Sequence, residues 1–317
     1  MEHFVINPTP ICKLNYFSNK FGVNLLCKRD DLFDKAGGGS KARMLQYILA
    51  SVTPSNCDVI VTAGGPCSNF NRACALMCAN LGITMHLIEY TDEPKEWNSL
   101  NHYLCDLIGI RRTICPKSEV PETINCIIKK YKDKGVKCKY IYGGGKSLEG
   151  FYAYYDAINE LNKQVKDIDA LFVACGTGTT LTGICAGMQK FYPNSKVYAI
   201  STARTKEAEY PVLLNNMSEL NMYLASDFNF DNLEFNDTYL CGGYAKYNKN
   251  IANVIKESLS KEGLIIDPTY SGKAFYGMTD IIKKKHKEFA NKTILFWNTG
   301  GLFNLLSTKY DKEISCI

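Results

Sequence analysis

A lysine placed directly after three glycines and a serine is the side chain of this sequence best suited to covalent chemistry. The run Gly37-Gly38-Gly39-Ser40-Lys41 leads into an amphipathic segment that predicts a helix over 41–51. The positive end of that helix and the neighbouring Arg43 disfavour a further positive charge, so we expect the Lys41 amine to lose its proton more readily than a free lysine. A neutral lysine amine attacks carbonyl groups and forms Schiff bases. The alternative is a solvated surface lysine, the common fate of a lysine after a glycine turn.

A second glycine-rich turn favours the binding of a single phosphate group. An apolar segment over 170–175 predicts a buried strand, and Gly176-Thr177-Gly178-Thr179-Thr180 connects it to a predicted helix over 181–191. Glycines let a ligand approach the backbone, and the free amides of a helix N-terminus attract an anion. No Gly-Lys-Ser/Thr follows, which excludes a Walker loop, and Leu181 stands where a dinucleotide fingerprint has its third glycine. The alternative is a tight strand-to-helix turn without a ligand.

A Ser-Asn turn and two tyrosines complete the set of candidates. Ser68 and Asn69 stand at the start of a predicted helix over 69–80, where they could hold an anion or simply cap the helix. Tyr244 and Tyr270 lie in the turn sequences CGGYAKY and DPTYSGKA, which favours exposure in a cleft. With 20 tyrosines in the chain, either could stand there without a role.

Short apolar segments alternate with longer amphipathic segments, the pattern of repeated βα units around a largely parallel sheet. In such sheets the loops that follow the strands meet at the carboxyl edge and bind ligands there, so we expect the glycine loops to share one crevice. The predicted strands span 58–63, 84–90, 170–175, 196–200 and 293–297, and the predicted helices span 41–51, 69–80, 149–164, 181–191, 247–262 and 272–288.

Length and composition indicate a globular chain of about two domains. The 317 residues are 46% hydrophobic and 22% charged, and the net charge of +5 comes from well-mixed signs, which disfavours a nucleic-acid partner. No apolar run approaches the ~20 residues that cross a bilayer, so no membrane association is expected. The four histidines lie outside the glycine loops, which disfavours a histidine-dependent triad.

The 14 cysteines are scattered without a Cys-x-x-Cys pair, so we expect no metal site. The N-terminal stretch shows no basic region followed by an apolar one, which predicts a reducing, cytoplasmic compartment. Most of the cysteines are expected to be small core residues.

Taken in order along the chain, several motifs resemble one enzyme family. They are NPTPICKLN, LLCKRDDLFDKAGGGSKARMLQYIL, VTAGGPCSN, YGGGKSLEGFYAYYDA, ACGTGTTLTGICAGM, IIDPTYSGKAFYGM and FWNTGGLFNLL. This series is similar to the D-cysteine desulfhydrase and 1-aminocyclopropane-1-carboxylate deaminase family, whose members are pyridoxal-phosphate enzymes of the tryptophan synthase β-like fold, or fold type II. The resemblance covers nearly the whole chain.

The resemblance implies an α/β architecture of two three-layer domains with mainly parallel sheets. Residues 1–44 and 143–317 would form the large cofactor-binding domain, and residues 45–142 a smaller inserted α/β domain. Members of the family usually pair, which implies a homodimer. The cofactor would be pyridoxal 5'-phosphate and the substrate a small amino acid.

The resemblance also implies a role for each candidate residue. Lys41 would bind the cofactor covalently and, once displaced by substrate, act as the base at the substrate Cα. Tyr270 and Tyr244 would be catalytic, and Ser68 and Asn69 would grip the substrate carboxylate. The cofactor phosphate would be held by the phosphate loop, which consists of Gly176, Thr177, Gly178, Thr179 and Thr180. Three further side chains would contact the cofactor, namely Asn71, Thr299 and Ser271, with Asn71 nearest the 3'-hydroxyl.

Two departures from the family pattern bear on the substrate. Phe70 stands where the family has His or Gln after Ser-Asn, which removes a polar contact from the substrate end. Ser271 stands where the deaminase branch has a glutamate, so that a hydroxyl, that of Ser271 or of Thr299, would face the pyridine nitrogen. A neutral partner there makes the cofactor a weaker electron sink and favours loss of a β-leaving group over ring opening.

The sequence therefore predicts a pyridoxal-phosphate lyase or deaminase that deprotonates Cα and eliminates a β-substituent, as in a D-cysteine desulfhydrase. One alternative is a β-replacement enzyme that makes a modified amino acid. Another is a homologue that binds the cofactor or an amino acid without turnover, for which Phe70 is the motivating residue. A nicotinamide-dependent dehydrogenase is disfavoured by the failed dinucleotide fingerprint.

Overall fold

The computed structural model describes residues 7–92 and 97–308. Its strands are β1 (Ile11–Lys13), β2 (Asn24–Arg29), β3 (Val59–Gly64), β4 (Thr84–Glu89), β5 (Arg111–Ile114), β6 (Cys138–Tyr140), β7 (Ala170–Cys175), β8 (Lys196–Ser201), β9 (Leu233–Asn236) and β10 (Thr293–Asn298). Its helices are α1 (Asn15–Phe21), α2 (Ser40–Ile48), α3 (Asn69–Leu81), α4 (Leu100–Ile108), α5 (Val120–Asp133), α6 (Leu148–Gln164), α7 (Thr179–Phe191), α8 (Lys206–Leu224), α9 (Lys249–Glu262), α10 (Ser271–Lys284), α11 (His286–Phe289) and α12 (Leu302–Ser307).

The strands form two sheets. The larger has six strands in the order β1-β2-β10-β7-β8-β9, and the smaller has four in the order β5-β4-β3-β6. Every neighbouring pair is parallel except β1 and β2. The mainly parallel α/β class predicted from the sequence is therefore confirmed.

All strands of the smaller sheet lie within residues 59–140, whereas the larger sheet draws on the chain before and after that segment. This arrangement accords with an inserted domain over 45–142, although the boundaries themselves stay a prediction. Such a topology also accounts for the lack of a linker-like segment in the sequence.

Helices cover both faces of the larger sheet. On one face α6 and α7 pack over apolar residues of β7 and β8, and this core continues through α2 and α3 onto the smaller sheet. On the other face α1, α9 and α10 bury a second core. A third, smaller core lies between α5 and the outer face of β3 and β4. Because the largest core crosses from one sheet to the other, it fixes the distance between the loops that face each other across the interface.

The five strands predicted from the sequence are all present, as are the six helices. One helix is corrected, because the segment predicted as continuous over 272–288 ends as α10 at Lys284 and is followed by the single turn α11. Strands β1, β2, β5, β6 and β9 and helices α1, α4, α5, α8 and α12 were not predicted. No helix within the described residues is long and apolar enough to span a membrane.

Candidate active site

The loop before α2 requires its glycines. Gly37, Gly38 and Gly39 have φ values of +73°, +75° and +91°. A Cβ on Gly38 would lie 2.2 Å from the Asp31 carbonyl oxygen, and a Cβ on Gly39 would lie 2.9 Å from that of Thr299. This close packing lets the Ser40 amide donate to the Thr299 carbonyl at 2.9 Å. The start of α2 is thus anchored to the end of β10, and Lys41 follows as the next residue.

Lys41 lines a cleft between the two sheets. Its Nζ donates to the Gly144 carbonyl at 3.0 Å. Burial lowers the pKa of the Lys41 amine to about 8. At that pKa about a tenth of the amines are neutral at pH 7, against about one in a few thousand for an ordinary lysine. A neutral, nucleophilic amine is therefore available at physiological pH.

The cause of the lowered pKa differs from the expected one. Arg43 does not face the Lys41 amine, because its guanidinium pairs with Asp30 and Glu160, each at 2.8 Å. Desolvation of Lys41 by the cleft walls disfavours the charged form instead.

The phosphate loop lies beside Lys41. A Cβ on Gly144, the residue that accepts the lysine's hydrogen bond, would lie 3.0 Å from Cγ2 of Thr177. Gly178, with φ of +77°, precedes α7, and among the described residues no side chain caps that helix. Its first amides remain available to an anion, as the single-phosphate prediction requires. The Thr177 and Thr179 hydroxyls lie 3.2 Å apart on the same turn.

Ser68 caps α3 and also lines the cleft. Its Oγ accepts a hydrogen bond from the Asn71 amide at 3.2 Å. Because capping uses an oxygen lone pair, the hydroxyl proton of Ser68 stays free to donate to a ligand. Asn69 lines the cleft beside it, and its Oδ1 accepts from Asn101 Nδ2 at 3.2 Å. Capping and anion binding are therefore compatible at this turn.

The two tyrosines meet in space although 26 residues separate them in sequence. Their phenol oxygens lie 2.8 Å apart, and their rings contact edge to face. The Tyr270 ring lies beside the phosphate loop, because a Cβ on Gly176 would be 3.5 Å from its Cε1. Both tyrosines line the cleft.

Three predicted cofactor contacts differ in placement. Thr299 lines the cleft. Ser271 does not line the cleft, because its buried Oγ donates to Asp267 at 2.7 Å and lies 3.0 Å from the Gly300 carbonyl. Of the Ser271 and Thr299 hydroxyls, that of Thr299 is therefore the one that can face a bound ring. Asn71 lies directly behind Gly64 of the cleft wall, and its buried Oδ1 has no hydrogen-bond partner within the described residues.

The cleft has a volume of about 820 Å³. The structure brings together in its wall most of the residues predicted from the sequence, namely Lys41, Ser68, Asn69, Gly176, Thr177, Gly178, Thr179, Thr180, Tyr244, Tyr270 and Thr299. Phe70, the departure at the substrate end, also lies there with a side chain that is 1% exposed. The outer wall on the smaller sheet is partly aromatic, with Tyr90, Tyr140 and Tyr142.

Sequence reasoning missed two residues that position the tyrosines. The buried Asp267 carboxylate accepts hydrogen bonds from the backbone amides of Thr269, Tyr270 and Ser271 and so fixes the turn that carries Tyr270. The buried Lys273 amine donates to the carbonyls of Leu240 and Gly243 at 2.7 Å each and holds the turn before Tyr244. The only sequence signal was their place in the motif DPTYSGKA.

Comparison with known proteins assigns the chain to the class that this arrangement suggests. Residues 3–300 match the family described as "Pyridoxal-phosphate dependent enzyme", and the chain belongs to that family. The fold is the tryptophan synthase β-like fold type II, and pyridoxal phosphate is the cofactor. The fold and cofactor predicted from the sequence are both confirmed.

Among curated relatives, a protein of Thermotoga maritima provisionally named a 1-aminocyclopropane-1-carboxylate deaminase is 31% identical, over 95% of this chain and 96% of that protein. The mitochondrial bifunctional D-cysteine desulfhydrase/1-aminocyclopropane-1-carboxylate deaminase of Arabidopsis thaliana is 30% identical, over 96% of this chain and 78% of that protein. A crystal structure of an ACC deaminase homologue superposes with a TM-score of 0.88 at 29% identity, covering 99% of this chain and 95% of that one. The chain is similar to these proteins along nearly its whole length.

Proposed function

We propose that this enzyme removes the Cα proton of a small amino acid and eliminates its β-substituent, releasing ammonia and a keto acid as a D-cysteine desulfhydrase does. The observation that carries the proposal is the meeting of Lys41, the Ser68-Asn69 turn and the Tyr244–Tyr270 pair in one cleft. These groups supply a base, a carboxylate anchor and a proton donor within one volume.

The residues present fit the cofactor. The uncapped start of α7 suits its phosphate, the Lys41 amine suits its aldehyde, and the Thr299 hydroxyl suits its ring nitrogen. The unpartnered Oδ1 of Asn71 suits a hydroxyl donor such as the 3'-hydroxyl. When bound, pyridoxal phosphate supplies an electron-poor ring that takes up the electron pair of the broken Cα–H bond.

The Ser68-Asn69 turn orients the substrate. A carboxylate placed there accepts a hydrogen bond from the Ser68 hydroxyl. It is also attracted to the positive end of α3. Holding the carboxylate limits how the bound substrate can rotate, so that its Cα–H bond would face Lys41. The lowered pKa of Lys41 makes its neutral form available to take the proton.

The tyrosine pair handles the proton of the leaving group. Because the two phenol oxygens lie within hydrogen-bond distance, one phenol donates to the other, and the hydroxyl of the accepting phenol can donate to a leaving group. We assign that donation to Tyr270, whose ring lies against the phosphate loop. Phe70 lies at the substrate end with its ring buried in the core, so it offers no polar contact to a leaving group there, which favours a small thiol or halide substituent over a strongly hydrated one.

We expect Tyr270→Phe to keep the colour of the bound cofactor and to lose rate selectively. Elimination of a poor leaving group such as hydroxide should slow by about a hundredfold or more, whereas a good leaving group such as chloride should slow by less than about tenfold. Steady-state kinetics with serine and β-chloroalanine measure the difference. Tyr276→Phe is the matched control, because Tyr276 lies in α10 outside the cleft. Equal loss with both substrates would contradict the acid role.

A panel of D- and L-amino acids, assayed for ammonia and keto acid, tests the function as a whole. Keto acid from D-cysteine or another β-substituted amino acid is the expected result. If an added thiol were instead incorporated into an amino-acid product, the enzyme would be a β-replacement enzyme. Cofactor binding without product from any member of the panel would indicate a protein that binds without turnover.

We propose further that the enzyme is a cytoplasmic homodimer. No disulfide joins any of the described cysteines, which accords with a reducing compartment. Helix α8 exposes three large apolar side chains, Leu214, Met222 and Tyr223, which a second copy of the chain would cover. Light scattering on the purified chain measures its molar mass in solution. A mass equal to that of one chain would contradict the proposed dimer.

A further inference from the structure

Cys12 and Cys27 face each other across the one antiparallel pair of the larger sheet. They are direct partners in the register of β1 and β2. The flanking bonds from Leu14 N to Leu25 O and from Arg29 N to Pro10 O place them at a hydrogen-bonded position of the ladder. At such a position the Cα atoms lie about 5.5 Å apart, within the roughly 4.4–6.8 Å that a disulfide spans. The Cβ atoms of such a pair also lie about 5.5 Å apart, so forming the bond has to draw them together by about 1 Å, which favours a bond that is readily reduced.

The two side chains lie on the same face of the sheet. Directly opposed residues of an antiparallel pair project to the same side. In accord with this, Cys27 belongs to the core between the larger sheet and α1, α9 and α10, and Cys12 packs against that same core. Cys27 Sγ lies 3.9 Å from the Lys28 carbonyl, and the two thiols are close enough that a hydrogen bond between them shifts the pKa of each.

The environments of the two thiols differ. Cys12 is partly exposed on an edge strand, and Arg29 Nη1 lies 4.0 Å from its sulfur. The neighbouring Cys27 thiol and then Arg29 lower the pKa of Cys12 to about 6, whereas burial raises the pKa of Cys27. A thiolate that solvent reaches, opposite a protonated buried thiol, is the arrangement of an attacking and a resolving cysteine.

We propose that Cys12 and Cys27 form a reversible disulfide when the enzyme meets a hydroperoxide. The Cys12 sulfur attacks one oxygen of hydrogen peroxide, the O–O bond breaks, and the departing hydroxide takes a proton to leave as water. Cys12 is then a sulfenic acid. The Cys27 sulfur attacks the Cys12 sulfur, the S–O bond breaks, and the second hydroxide leaves as water with the Cys27 proton. Two thiols are oxidised by two electrons, and one peroxide is reduced to two waters.

The bond is expected to be reducible by a thiol such as glutathione. An edge strand leaves the Cys12 sulfur open to attack, and exposed disulfides have more oxidising potentials than buried structural ones. The modification is therefore a reversible one.

The chain contains a second close pair that serves as a control. The sulfurs of Cys74 and Cys78 lie 3.9 Å apart within α3, and both side chains are buried. The neighbouring Cys78 thiol and then burial raise the pKa of Cys74. If proximity alone decided reactivity, this pair would oxidise as well as the cross-strand pair.

The test treats the full-length holoenzyme with hydrogen peroxide, alkylates the remaining thiols and maps the tryptic peptides by mass spectrometry. We expect the peptides carrying Cys12 and Cys27 to appear as one linked species, lighter than their sum by two hydrogen atoms, and to separate after reduction. Cys74 and Cys78 should stay alkylated. Cys12 remaining alkylated at peroxide levels that oxidise the exposed Cys126 would overturn the proposal.

Two variants separate the steps. Cys27→Ala should leave a sulfenic acid on Cys12 that dimedone traps, formed more slowly than in the wild type because the variant also removes the thiol that lowers the Cys12 pKa and leaves only Arg29 to do so. Cys12→Ala should leave Cys27 reduced. Should Cys27→Ala fail to fold, Cys12→Ala together with the wild-type peptide map decides the matter, because oxidation of Cys27 without Cys12 refutes the assigned order.

The pH dependence of alkylation checks the assignment of Cys12 as the attacking thiol. Between pH 8 and pH 5 its rate should fall about tenfold, whereas a thiol of ordinary pKa would slow by about 700-fold. If the alkylation rate of Cys12 fell as steeply as that of an ordinary thiol, Cys12 would not be a thiolate at neutral pH. That result would contradict the proposed attack of Cys12 on hydrogen peroxide.

Discussion

Lys41→Ala is expected to lower turnover by at least about a thousandfold and to abolish covalent attachment of the cofactor. The variant loses both the amine that joins the aldehyde and the base that takes the Cα proton. Little of the fold should change, since within residues 7–92 and 97–308 the lysine's polar contacts are those with the Gly144 carbonyl and the Met44 sulfur. Borohydride reduction followed by peptide mapping measures the attachment, and circular dichroism checks the fold.

Lys273 provides the matched comparison for this prediction. Burial lowers its pKa to about 8 as well, so both amines lose their proton more readily than an ordinary lysine. They differ in position, because Lys273 Nζ is engaged by the Leu240 and Gly243 carbonyls, whereas Lys41 lines the cleft. The borohydride label should therefore appear on Lys41 alone. A label on Lys273, or undiminished turnover by the Lys41→Ala protein, would disprove the assignment.

The parts of the fold that the sequence predicted are those set by local patterns. Strand β7 is buried along its whole length and appears in the sequence as an uninterrupted apolar run. Strand β2 was missed because it carries Lys28 and Arg29, and the charge of Lys28 is accommodated by groups far away in sequence, among them Glu160, 132 residues away, and Gln164. Helix α8 was missed because it contains Pro211 and lacks a continuous apolar stripe. In both cases tertiary contacts override the local signal.

In the candidate site, too, the sequence predicted the features that local patterns set and missed those that depend on tertiary contacts. The glycine loops mark Lys41 and the phosphate loop in the sequence, because steric limits on the backbone act locally. The reason for the lowered pKa of Lys41 is not local, since burial depends on how the two sheets meet. Asp267 and Lys273 resemble ordinary solvated residues in the sequence, and only the fold shows that both are buried beneath the tyrosine turns.

Removal of a buried cation should have the largest effect on stability. Arg43 is 1% exposed and bonds to Asp30, Glu160 and Thr9. Asp30, itself buried, also accepts hydrogen bonds from Tyr154 at 2.7 Å and Trp297 at 2.9 Å. Arg43→Met leaves the Asp30 carboxylate buried without its cation, which costs about 3–5 kcal/mol. Urea unfolding of the variant and the wild type measures the difference in free energy of unfolding.

The pH dependence of that difference separates loss of the ion pair from loss of packing. Burial opposes ionisation of Asp30, but Arg43 and the hydrogen-bond donors outweigh it and keep the pKa below its usual value. In the wild type the ion pair thus contributes stability above the unfolded pKa of about 3.9, and the contribution is lost as pH falls through the lower folded pKa. In the variant the unpaired carboxyl takes up a proton more readily, so the penalty should be largest near pH 7 and smaller near pH 4.

Lys196→Met is the control for the loss of a cation at the surface. The Lys196 amine lies 3.2 Å from Glu234, but the two side chains are 55% and 41% exposed. Water screens such a pair, so the variant should lose no more than about 1 kcal/mol. The Asp30–Arg43 pair joins α2, which carries Lys41, to the end of β2. If Arg43→Met lowered the free energy of unfolding as little as Lys196→Met, this ion pair would not be what holds α2 in place. The same conclusion would follow if the loss were equal at pH 4 and pH 7.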